Sequence, residues 1–174
     1  LRRMPPLLPD GTSIAGARTS EELVAVGKLL ARTIDGSVLA VQGPPGAGKS
    51  HLGAEMIVEL VRSGNRVGIV ANSHKVIGNL LKKACEAAER ANPKLPCIQK
   101  ESDEHKGDSV HPFVKLAENN PDVIDAIAAG AKVVAGTSWL ERLLLRLGPA
   151  VRAVRPACDA APARPRTSTA WCGR

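Results

Sequence analysis

One eight-residue run constrains this chain more than anything else: Gly43-Pro44-Pro45-Gly46-Ala47-Gly48-Lys49-Ser50. It matches G-x-x-x-x-G-K-[ST] in full, and its flanks are those the motif requires. Before it stands Ser37-Val38-Leu39-Ala40-Val41, an apolar run without polar alternation, which reads as a fully buried parallel strand. After it comes a helix over residues 51–62, with Leu52, Met56 and Leu60 facing inward and Gly64 as a left-handed cap. The glycines let the backbone wrap closely around phosphates, and the amides at the helix start face the negative charge. Lys49 is expected as the phosphate clamp and catalytic cation, and Ser50 as the Mg²⁺ ligand. Gly43, Pro44, Pro45, Gly46, Ala47 and Gly48 form the cradle. The bland alternative, a chance Gly-rich turn, does not account for the matching flanks.

The rest of the chain repeats the alternation of strand and helix. Thr19 opens a helix at capping-box spacing from Glu22, and Leu23, Val26, Leu30 and Ile34 recur at helical period. Residues 66–71 read as a second buried strand, residues 76–91 as a helix, and residues 132–135 as a third strand. Asn120-Pro121-Asp122 starts a helix that ends at Gly130. Residues 92–112, with mixed charge and prolines, look like a surface insertion. This order predicts an α/β fold: a P-loop NTPase with a parallel sheet and flanking helices. With aromatic residues at 2% of the 174-residue chain, its core must be Val, Ile, Leu and Ala.

Charge separates the chain into parts. The net charge is +7, but the segment after Leu140 alone holds seven Arg against Glu141 and Asp159. The division expected is a linker over 1–18, a nucleotide-binding domain over 19–140, and an Arg/Ala/Pro-rich tail over 141–174. That tail reads as disordered, or as a coding region translated out of frame. The first residue is Leu rather than Met, so a piece of a longer protein is expected. Cys85, Cys97, Cys158 and Cys172 lack the spacing of a metal knuckle, and no metal cluster is expected. No apolar run reaches the length of a membrane span, and a cytoplasmic location is expected.

At this level of detail a resemblance emerges. Residues 41–50, VQGPPGAGKS, resemble motif I of superfamily 1 DNA/RNA helicases. Residues 66–80, RVGIVANSHKVIGNL, are similar to motif Ia, and residues 132–140, KVVAGTSWL, resemble motif Ic. The likeness is closest to bacterial proteins that fuse a RecB-like nuclease to such a helicase. It implies a RecA-like domain, ATP and Mg²⁺ as cofactors, and movement along single-stranded DNA or RNA. It also implies that Ser73, Lys75, Thr137 and Ser138 lie near the nucleic-acid backbone. The family's Asp-Glu motif II has no counterpart after Leu140, so the chain is expected to stop short of it and to hydrolyse little. Two other readings stand beside this one: a small P-loop nucleotide kinase, and a P-loop module that binds nucleotide without turning it over. Ser73 and Thr137 could equally cap the helices that follow them.

Overall fold

The computed structural model describes residues 19–34, 38–91, 94–101, 111–137, 140 and 142, and the backbone of 151–155 and 170–173. Its elements in chain order are α1 (Ser20–Thr33), β1 (Val38–Val41), α2 (Lys49–Arg62), β2 (Arg66–Val70), α3 (His74–Ala91) and β3 (Cys97–Lys100). There follow β4 (Val114–Ala117), α4 (Asn120–Ala128), β5 (Val133–Gly136), β6 (Val151–Arg155) and β7 (Ala170–Gly173). The strands make one seven-stranded sheet in the order β1-β7-β6-β2-β5-β3-β4, and every pairing is parallel. The expected fold class is therefore observed: α/β, with a parallel sheet and flanking helices.

The helix starts follow the sequence signals. The Thr19 hydroxyl accepts from the Glu22 amide at 3.1 Å while the Glu22 carboxylate accepts from the Thr19 amide at 3.1 Å. Asn119 and Asp122 form the same reciprocal cap at α4, with Pro121 in its first turn. Gly130 follows that helix in a left-handed conformation, φ 105°.

Alternation along the strands divides the core into two layers. On one face, Val67 and Ile69 of β2, Val133 and Ala135 of β5 and Cys97 of β3 meet Ile57, Leu60, Ile77, Leu81 and Ala84 from α2 and α3. On the other face, Val70, Ile98 and Val134 pack with Val123 and Ile127 of α4. Three carboxylate-centred ties hold the first helical layer together. Glu55 of α2 pairs with Lys28 of α1 at 2.6 Å and with Arg90 of α3 at 3.2 Å. Glu59 pairs with Arg32 at 3.2 Å.

Two expectations need correction. Residues 92–112 are not simply a surface insertion, because Cys97–Lys100 is a strand buried between β5 and β4. Four residues among charges and prolines are too few to carry a readable period. The first strand is not fully buried. It lies at the sheet edge with Val38 38% exposed, while Leu39 and Val41 pack inward under the helices. Two strands, β6 and β7, lie within residues 141–174. They fill the sheet between β1 and β2. Ladder hydrogen bonds come from the backbone, so these strands need no strong side-chain signature. The linker expected over residues 1–18 lies outside the described residues.

Candidate phosphate-binding site

The glycine-rich loop leaves the carboxyl end of β1 and becomes α2 without a break. Two of its glycines hold conformations closed to most side chains: φ is 81° at Gly46 and 79° at Gly48. A Cβ on Gly43 would meet the Ala47 Cβ at 3.3 Å and the Lys49 Cγ at 3.9 Å, so the loop closes tightly on itself. The Ala47 amide donates to the Pro44 carbonyl at 3.2 Å, which sets the turn.

Gly48 is the N-cap of α2, and no side chain caps the helix. The first turn also carries no acidic residue. The amides at the start of a 14-residue helix therefore face outward with their dipole unopposed. Such a helix start suits an anion through its backbone amides. Lys49 lies over it. Its ammonium Nζ donates to the Gly43 carbonyl at 2.6 Å and the Pro44 carbonyl at 2.8 Å, folding the side chain back across the loop. Ser50, one residue on, is exposed.

The other predicted residues reach the same edge of the sheet but not the same place. Ser73 follows β2 and Thr137 follows β5, and these two strands are paired neighbours. Each acts locally through its backbone. The Ser73 carbonyl accepts from the Ile77 amide at 3.1 Å, and the Thr137 carbonyl accepts from the Leu140 amide at 2.9 Å. Both fit the simpler role of starting the next helical turn. Lys75 is exposed in the first turn of α3. Ser138 lies outside the described residues.

Among the described residues, the acidic groups on this edge are remote from the loop. Glu101 follows β3 and Glu118 follows β4, at the far side of the sheet from β1. At ~4.8 Å per strand, the five steps from β1 to β3 place Glu101 on the order of 24 Å away. The nearer strands end in Gly173, Arg155 and Val70-Ala71-Asn72, none of them acidic. Among the described residues no group of three or more His, Cys, Asp or Glu could hold a metal ion. No described helix is long and apolar enough to cross a membrane.

A family model matches residues 13–81, less than half of the chain: the methylmalonyl-CoA mutase-associated GTPase MeaB. No curated protein matches the sequence. The matched segment contains α1, β1, the glycine-rich loop, α2, β2 and the first turns of α3. This finding overturns the helicase resemblance, because the segment with motifs I and Ia is the one that matches a GTPase family. The assignment of Ser73, Lys75, Thr137 and Ser138 to a single-stranded DNA or RNA partner falls with it. The physical reason is that a strand, a polar capping loop and a helix recur throughout α/β folds. Short likenesses to motifs Ia and Ic therefore carry little beyond that shared pattern. What survives is the coarser statement: the loop is a P-loop of the kind that binds nucleotide phosphates with Mg²⁺.

Proposed function

We propose that this chain is a P-loop nucleotide-binding module that takes a guanine nucleoside triphosphate with Mg²⁺ and turns it over slowly or not at all. The observation that carries the reading is the combination of an open, uncapped α2 N-terminus with the lack of a nearby carboxylate among the described residues. In this reading the amides of Gly46 to Ser50 and the Lys49 ammonium hold the β and γ phosphates. The Ser50 hydroxyl ligates Mg²⁺. Bound Mg²⁺ would neutralise phosphate charge, and nothing described is placed to polarise an attacking water. Guanine in place of the ATP first expected rests on the likeness of residues 13–81 to a GTPase family.

A protein partner replaces nucleic acid in this proposal, since the matching family is named for its association with a mutase. The nucleotide-binding unit is taken as residues 19–140, with β6 and β7 completing its sheet. Free, buried Cys85 and Cys97 support a cytoplasmic location.

Titration calorimetry with GTP and with ATP, each with and without Mg²⁺, tests the binding. Phosphate release on the same samples tests turnover. Mg²⁺-dependent GTP binding with little release is the expected result. Binding of neither nucleotide would refute the site, and rapid release would refute the non-hydrolysing reading.

A further inference from the structure

Cys85 and Cys97 are far apart in function from the P-loop and are not used by it. Cys85 lies on α3 and is fully buried; Cys97 opens β3 and is 3% exposed. Their Sγ atoms are 4.0 Å apart in a shared thiol hydrogen bond. The Cys97 thiol also lies 3.2 Å from the Leu95 carbonyl, which orients it. Both cysteines belong to the same apolar core cluster as Leu81, Ala84, Ala88, Leu95 and Val133. Two sulfurs held in contact within an apolar pocket have an effective concentration for one another that no external thiol can match.

We infer that Cys85 and Cys97 form an intramolecular dithiol pair that closes to a disulfide on oxidation and thereby locks α3 onto the sheet. The oxidant is a hydroperoxide. One sulfur attacks the peroxide oxygen, the O–O bond breaks, and a sulfenic acid forms with release of water or an alcohol. The second sulfur then attacks the sulfenic sulfur, the S–S bond forms, and water leaves. The two thiols together lose two electrons and two protons, and the peroxide is reduced. Closure needs the sulfurs to approach by about 2 Å from their 4.0 Å separation.

A buried cysteine can also be an inert small hydrophobe. The two cases separate by chemistry. The full-length chain, with Cys158→Ser and Cys172→Ser to remove the other thiols, is treated with hydrogen peroxide, denatured, alkylated and mapped by mass spectrometry. The expected product is a peptide pair joined through Cys85 and Cys97, lighter by two hydrogens, reversed by dithiothreitol, with a raised Tm before reduction. Full alkylation of both residues after oxidation overturns the inference, as does irreversible oxidation of either sulfur alone. In the unsubstituted chain, linkage of either to Cys158 or Cys172 also overturns it. Cys97→Ser should leave Cys85 alkylatable; should that variant not fold, the mapping above decides without it. None of these measurements uses nucleotide, so they stand or fall apart from the proposed function.

Discussion

Replacing Lys49 by alanine separates what the lysine does for a ligand from what it does for the loop. In the structure its ammonium is held by the Gly43 and Pro44 carbonyls at 2.6 and 2.8 Å. To clamp phosphate it must weaken those bonds, worth about 1.5 kcal/mol each for a charged donor at a part-exposed site, so about 3 kcal/mol opposes the clamp. Against this stands the attraction of one positive charge for phosphate at ~4 Å, about 4 kcal/mol at an effective dielectric near 20. The balance is about 1 kcal/mol, or roughly a 5-fold weaker Kd for the alanine variant. The fold should barely notice, because the Pro44 carbonyl is exposed, the Gly43 carbonyl only half-buried, and water can replace the ammonium at both. Titration calorimetry with Mg²⁺-nucleotide measures the first effect, and thermal unfolding the second. An unchanged Kd would refute the assignment of Lys49 to the phosphates. A Tm lowered by several degrees would show instead that the ammonium chiefly holds the loop together.

Three further outcomes follow from the same structure. Gly48→Ala forces a side chain into φ 79°, so despite open space around it the variant should lose about 1–2 kcal/mol, read as a lower denaturant midpoint. Ile57→Ala empties a fully buried position between α2 and the sheet and should cost about 2–5 kcal/mol in chemical denaturation. Glu55→Gln tests the tie between the three helices. Burial pulls that carboxyl up, but hydrogen bonds from Lys28 and Arg90, with the charges of Lys28 and His51, outweigh it and leave the group below the ordinary carboxylate range. A depressed folded pKa gives stability that is present above the unfolded pKa and lost as pH falls through the folded one. The glutamine variant should therefore be less stable at neutral pH by about 1 kcal/mol and should show a flatter stability profile in acid. An acid profile identical to that of the parent chain would refute this.

The difference between what could and could not be read in the chain is visible in its elements. Thr19 with Glu22 and Asn120-Pro121-Asp122 placed two helix starts correctly, because caps are local chemistry between neighbours in sequence. The cap of α4 itself is Asn119, one residue before the position the sequence suggested, a shift of the size usual at helix ends. The glycine-rich loop was equally legible, since positive φ at Gly46 and Gly48 is a backbone demand that only glycine meets cheaply. By contrast β3 and β4 were invisible. Each has only four residues, and what makes them strands is the neighbour they pair with, β3 lying between β5 and β4. The helicase resemblance failed for the converse reason: Ser73 and Thr137 carry signals that any strand-to-helix turn produces.

By itself, then, the sequence determined the strand, glycine-rich loop and helix of the candidate phosphate site, because each requirement there is met by residues close together in the chain. It also determined the class of fold, through apolar strands alternating with amphipathic helices. Tertiary structure decided everything that depends on strand order. It placed β1 at an edge, with one face open, although its composition is that of a buried strand. It put β6 and β7 between β1 and β2, and so set the remaining acidic strand ends far from the loop. It also brought Cys85 and Cys97 into contact across 12 positions of chain. Order and contact of this kind are set by which backbones share hydrogen bonds and which faces share a core, and neither quantity is written at any single position of the chain.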